Sequence, residues 1–338
     1  MTRATFLPPA GERGAALLSV LLLVAIMAVI ATTALDRIGI ATRITAAQAA
    51  SGQAAAYARA AELLAMRRIG DLVARDAAQL TLAGDWADRD FTVPVPGGTI
   101  TTRARDGGNC FNLNGLAADT GLAGGRTTRQ AGVQQLTALM VIQGVSEGEA
   151  QAIAAATADW IDSDQNVNPL GAEDAVYLGN AAPSRTADAL FVDVSEWRAV
   201  RGVTPRIYAR MQPWVCALPV AEMTALNANL LRPDQAPLLA MLAPTMISTS
   251  QARAALAARP VSGYGSTVRF CQISALAKVQ PPPDVAAQVK VKSRWFAVAS
   301  RVNLGDYEVI QSALVDAERA DGAPTHVVRR QWGVIDPP

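Results

Sequence analysis

The chain carries no charged residue from Ala15 to Leu35. As a helix rising ~1.5 Å per residue, that run spans about 31 Å, the thickness of a bilayer's hydrocarbon core. A cleavable secretory signal has a shorter apolar core that ends at a small-x-small site before a polar chain. Here the apolar run continues instead into a proline-free, alanine-rich stretch that reaches Arg75. Ile38, Ile44, Tyr57, Leu63 and Leu64 are dispersed there among polar positions. The pattern predicts one long helix over about 15–75, apolar in its first half and amphipathic in its second. Gly39 and Gly52 weaken it locally without ending it.

After this helix the period changes. FTVPVPGGTITTRARDGGNC (91–110) contains a Gly-Gly turn and the alternating TITTRAR, which reads as a strand entered from a hairpin. The same alternation returns at the C-terminal end. Trp295–Ala299 and Tyr307–Ile310 flank Asn303-Leu304-Gly305-Asp306, and Thr325–Gln331 makes a third strand. Three such strands and one or two near residue 100 would form one sheet, packed on the amphipathic half of the helix, because hairpins alone are marginal.

Between the strand regions the pattern is helical. LTALMVIQGVSEGEAQAIAAATADWID (136–162) and VSEWRAVRGVTPRIYARMQPWVCALP (194–219) each read as helix, glycine turn, helix, with Ser146 or Thr204 capping the second helix. A weaker third copy is LNANLLRPDQAPLLAML (226–242). Such helix-hairpin-helix units can cradle a nucleic-acid phosphate on hairpin amides. Glu147 and Glu149 at the first hairpin oppose that use, although Arg201 and Arg206 flank the second. The pattern therefore favours a compact helical scaffold without a nucleic-acid partner.

Composition narrows the picture only a little. With 30 basic and 29 acidic residues there is no global field to attract nucleic acid. The single histidine, His326, falls inside a predicted strand, and no nucleophile elbow, phosphate loop or zinc-protease motif is present, so the reading is not an enzyme. Three cysteines, Cys110, Cys216 and Cys271, allow one disulfide and one leftover thiol.

The stretch richest in chemistry is DWIDSDQNVNPLGAED (159–174). Asp162, Asp164 and Asn166 stand at alternate positions and Glu173 at the twelfth place from Asp162, as in the first, third, fifth and twelfth positions of an EF-hand loop. Val167 occupies the sixth position, where that loop needs glycine, so the loop is irregular. A hard-cation site, calcium ahead of a solvated acidic turn, is the expectation, with Asp162, Asp164, Asn166, Glu173 and Asp174 as candidate ligands.

The boundary ahead of the apolar run carries a further signal. A short leader ends at Gly14, and Ala15 opens a small-residue and apolar segment. This resembles the type IV prepilin class, in which a membrane peptidase cuts after the glycine and the apolar half stays as an anchor. Gly14 and Ala15 form the matching bond. The class places a glutamate at the fifth residue after the cut, where this chain has Ser19. Together with CFNLNGL (110–116), ADWIDSDQNVNPLGAED (158–174), VSEWRAVRGVTPRIYARMQPWVCALP and the C-terminal strands, the whole chain resembles the type II secretion system minor pseudopilin K family.

The resemblance implies an α+β pseudopilin fold, a long N-terminal helix on an antiparallel sheet with a large all-α domain inserted. The expected division is a leader over 1–14, a transmembrane half-helix over 15–35, a pseudopilin α/β domain over 36–112 and 285–338, and an insert over 113–284. It also implies structural calcium in the insert, a Cys110–Cys216 disulfide, cleavage with methylation of the new amino terminus, and single-pass residence in the inner membrane with a periplasmic C-terminal domain. Its implied partners are minor pseudopilins I, J and H at the pseudopilus tip, the prepilin peptidase, and secreted cargo. The alternative kept open at this point is a membrane-anchored helix-hairpin-helix protein that handles DNA during uptake.

Overall fold

The computed structural model describes residues 12–76, 78–121, 124–179, 181–273, 275–277, 279, 282–317 and 325–333. Residues 1–11, most of the leader expected from sequence, lie outside them. Helix α1 runs unbroken over Glu12–Arg75, since no proline interrupts it and alanine dominates its second half. From Gly14 to Ala46 it is exposed all round, and it is the one described helix long and apolar enough to cross a membrane. Its second half lays Ala54, Ala58, Ala61, Ala65 and Ile69 against a sheet and buries them there.

The first two sheet strands form a hairpin, β1 (Asp90–Val95) and β2 (Gly98–Asp106), closed by Pro96 and Gly97. The chain then leaves the sheet. It forms β3 (Phe111–Asn112), β4 (Ala117–Asp119), β5 (Arg126–Thr128), α2 (Gln130–Ile142), α3 (Glu147–Ile161), α4 (Asp174–Leu178), α5 (Pro205–Met211) and β6 (Val215–Cys216). A second part follows with β7 (Leu226–Asn227), α6 (Ala236–Ala240), α7 (Thr249–Ala257), α8 (Thr267–Cys271), α9 (Pro283–Gln288) and β8 (Val289–Lys290). The chain returns through β9 (Trp295–Leu304), β10 (Tyr307–Asp316) and β11 (His326–Trp332). The sheet order is β1-β2-β9-β10-β11, antiparallel throughout, so β2 and β9 become neighbours across the whole insertion. Their approach is close at Gly98, where an added Cβ would lie 1.7 Å from the Asn303 carbonyl oxygen.

The strands of the sheet end at Asp106 and resume at Trp295, so the insertion is somewhat longer than the 113–284 expected. The reason is local pairing. β3 pairs in parallel with β6, and β7 in parallel with β8, so these two-residue strands belong to the insert. Each parallel pair starts a similar turn. The Asn112 carboxamide oxygen accepts from the Asn114 amide, and that of Asn227 accepts from the Asn229 amide. This turn also corrects the third hairpin copy: Leu226–Arg232 is not helical, and the helix there is the short α6.

The insert has its own core, in which Phe111, Leu116, Leu136, Leu139, Ile153 and Trp197 are fully buried. It rests on the far end of the sheet from the apolar half of α1, with Leu218 packed against Trp295 and Leu314. From the edge strand β11, Arg329 donates to the Ala217 carbonyl at 3.1 Å and Gln331 to Asp193 at 2.7 Å. Cys110 and Cys216 are joined as a disulfide with α-carbons 5.8 Å apart, and Cys271 is a half-buried free thiol.

Candidate functional site

The acidic loop is shaped by the elements on either side. Asp159 lies in the last turn of α3 and Asp162 ends that helix, so the spacing of three puts both on one face. The chain crosses Asn166–Leu170 and returns so that Glu173 precedes α4. Carboxylate oxygens of Asp159, Asp162 and Glu173 all lie within 4.8 Å of one another, and all three residues are buried.

The loop is built to hold Asp159. Its Oδ2 accepts from the Ala172 amide at 2.7 Å, and its Oδ1 accepts from the side chain and backbone of Asn168. Asn168 also donates to the Thr128 hydroxyl at 2.7 Å, and that hydroxyl donates to Asp162 Oδ2 at 2.8 Å. Gly171 lets the Asp159 carboxylate approach the loop, because a Cβ there would sit 2.0 Å from Asp159 Oδ2 and displace it. Leu170 takes a left-handed φ of 70° to make the turn.

Asp162 Oδ1 and both carboxylate oxygens of Glu173 are buried without a hydrogen-bond partner among the described residues. Burial, then the charges of Asp159 and Asp162, push the Glu173 carboxyl up to about 8. Asp162 is pushed up to about 6, first by burial and then by Asp164 and Asp159, against the Thr128 hydrogen bond. Burial raises Asp159 too, despite its hydrogen bonds. Three converging acids, two of them with unpartnered oxygens, make the kind of all-oxygen donor set that a hard divalent cation satisfies.

Of the five ligands expected from sequence, the structure brings Asp162 and Glu173 together. Asp164 is half-exposed, with Oδ1 accepting from the Asn166 amide at 2.8 Å, and Asn166 is exposed. Asp174 turns away: Arg185 pairs with it, and Thr186 donates to it through both amide and hydroxyl. The EF-hand count therefore fails at its third and fifth places, because the chain curls back through Asn168 rather than around a central glycine. Asp159 was missed. Its signal was the spacing of three to Asp162 on the last turn of a helix.

The hairpins form a scaffold. Arg210 of α5 donates to the carbonyls of Gln143 and Gly144, tying the first hairpin turn to the second unit. At the other end of the chain, the Gly14–Ala15 bond lies within α1, and the Ser19 hydroxyl donates to the Ala15 carbonyl at 2.8 Å.

Two family models, both described as type II secretion system protein K, match residues 109–220 and 226–292. Type II secretion system protein K of Pectobacterium carotovorum is 36% identical over 95% of this chain and 97% of its own length. The protein of the same description from Aeromonas hydrophila is 35% identical over 87% of this chain and 90% of its own. A similar solved structure is a chain of the GspK-GspI-GspJ complex of the enterotoxigenic Escherichia coli type 2 secretion system. The match has a TM-score of 0.74 and 30% identity, and covers 86% of this chain and 99% of that one.

Proposed function

Because this chain belongs to the type II secretion system protein K family, and is thus a minor pseudopilin of that system, we propose that it caps the pseudopilus tip together with pseudopilins I and J. The similar chain solved with GspI and GspJ supports those two partners; pseudopilin H joins beneath them. The family does not favour the DNA-handling alternative, and the role is assembly and cargo contact rather than catalysis.

The observation that carries the tip placement is Ser19. In the prepilin class the carboxylate at this position meets the amino terminus of the neighbouring subunit nearer the tip. A subunit with nothing above it has no such amine, and an unpaired carboxylate in the apolar half of α1 would be costly. Serine avoids the cost by returning its hydroxyl to Ala15 one turn back. The bulky insert on the sheet fits the same place, since a subunit stacked above would meet it. Subunit counting on sheared pseudopili should give one copy per filament, and Ser19→Glu should leave secretion unchanged or reduced. Copies at regular intervals along the shaft would overturn the cap.

Anchoring follows from α1, whose exposed apolar half would span the inner membrane and leave the sheet and insert in the periplasm. Processing by the prepilin peptidase would cut between Gly14 and Ala15, with methylation of the new amino terminus. Mass spectrometry of the mature protein is expected to start at methylated Ala15. Retention of Met1, or a cut near Ala31–Ala34, would show that the segment is handled otherwise.

The acidic cluster would hold structural calcium through Asp159, Asp162 and Glu173. The all-oxygen donor set and the three unpartnered buried oxygens support it. Bound there, the cation would neutralise charge and tie the end of α3 to the start of α4.

A further inference from the structure

The loop between α3 and α4 turns its apolar side chains outward. Val167 is 56% exposed and Leu170 61%, and Pro169 between them is exposed as well. The polar residue of this run points the other way. Asn168 donates to Asp159 through its amide and its side chain, and to the Thr128 hydroxyl. A solvated loop leaves its polar atoms in water and tucks its apolar ones inside, so the arrangement here is reversed.

Leucine is also a costly residue for its place. The Gly171 amide donates to the Asn168 carbonyl at 2.8 Å, closing a four-residue turn with Pro169 second and Leu170 third. Proline second and a φ of 70° third are the marks of a type II turn, whose third position calls for glycine or asparagine. A leucine there sets its Cβ against the backbone, and its exposure gives little burial in return. Strain kept without a packing gain points to a surface with a use. The turn is held from both sides, since Asp159 accepts from the Ala172 amide and Arg201 donates to the Gly171 carbonyl. The three side chains are therefore presented with little further loss of entropy on contact.

We propose that Val167, Pro169 and Leu170 form an apolar finger that seats in a shallow apolar pocket on folded secreted proteins; this rests on the assembly and cargo reading above. Size selects a passing occupant over a permanent one. Three side chains cover well under the roughly 1,000 Å² that a lasting interface needs, and a contact that small exchanges readily. The rim is neutral and hydrogen-bonding, with Ser163, Gln165 and Asn166 exposed. The arginines that border the loop are engaged. Arg126 donates to the Ile161 and Asp188 carbonyls, Arg201 to that of Gly171, and Arg185 pairs with Asp174. Such a rim suits a protein pocket better than an anionic bilayer, which draws clustered cationic groups.

The test replaces Leu170 by a benzophenone-bearing photo-crosslinking residue in the full chain within secreting cells. Val261, fully exposed on another loop of the insert, is replaced in the same way as a control. Adducts from position 170 should contain proteins that the cell releases into its medium, and those from position 261 should not. Val167→Asn with Leu170→Asn keeps the turn and removes the finger. That double variant should melt no lower than the parent and still co-purify with pseudopilins I and J, while release of the same proteins falls several-fold. Adducts from position 170 without any released protein, or equal adducts of released proteins from both positions, would overturn the finger. So would unchanged release by the folded double variant, or its loss of I and J. If the double variant does not fold, the crosslinks alone decide. Failure of the parent to co-purify with I and J would instead defeat the assembly reading, with the crosslinks still judging the finger.

Discussion

Chelation of divalent cations should lower the melting temperature of the insert by roughly 5–10 °C. The magnitude follows from linkage: a ligand at about 100 times its Kd stabilises by about 2.7 kcal/mol. A unit of 150–250 residues shifts about 2–4 °C per kcal/mol. The pH dependence has a definite sign. Without a cation, the folded protein keeps a proton on Glu173 up to about pH 8 and on Asp162 up to about 6. The unfolded chain releases both near pH 4–4.5. The folded state therefore binds more protons between these limits, and stability in chelator falls as pH rises from about 4.5 to 8, then levels. With saturating calcium the ionised cluster is the favoured form, and the decline should disappear or reverse. Glu173→Gln removes one charge from the cluster. In chelator at pH 8 it should melt no lower than the parent, and it should gain nothing from calcium. Asp159→Ala should lose stability under both conditions, since Asn168 and Ala172 lose their acceptor. Equal melting of the parent with and without chelator would rule out a structural cation.

Why some of this was legible and some not follows from the range of the interactions. The spine helix and the hairpin strands are specified by periodicity over many residues, and α1 and β9–β11 lie close to where that periodicity puts them. The two-residue strands of the insert have no period to read. They exist because Asn112 and Asn227 fold their side chains onto the next turn and because partners more than a hundred residues away, or some sixty away, supply the pairing. The cation cluster shows the same division. Asp162 and Glu173 could be picked from spacing because they bracket one loop. Asp174 could not be excluded, because what removes it is Arg185 and Thr186 beyond α4. Asp159 looked like an ordinary helix residue until Asn168 and Ala172 closed around it.

The largest single loss of stability should come from removing the Cys110–Cys216 disulfide. The bond joins residues 106 apart in sequence, and closing a loop of ~100 residues is worth about 4.7 kcal/mol in the chain-entropy account, an upper figure. At about 2–4 °C per kcal/mol, Cys110→Ala with Cys216→Ala should lower melting of the insert by up to roughly 10–20 °C. The native arrangement should nevertheless survive at room temperature. Beside the disulfide, β3 stays paired with β6, and Asn112 accepts from the Leu218 amide at 3.0 Å. Asn114 bridges further, donating to the Phe191 and Leu218 carbonyls and accepting from the Phe191 amide. These bonds hold the folded geometry, while the disulfide acts mainly by limiting the unfolded chain. Because the closed loop lies wholly within the insert, the loss should be local. Hydrogen exchange should show amides of 111–218 losing protection first, ahead of β9 and β10, which α1 covers. Cys271 should remain unpaired in the parent, since the two other cysteines are already joined. Unchanged melting in the double variant, or a peptide map joining Cys216 to Cys271, would defeat the assignment, and equal loss of protection in β9 and β10 would show that the disulfide supports the sheet as well.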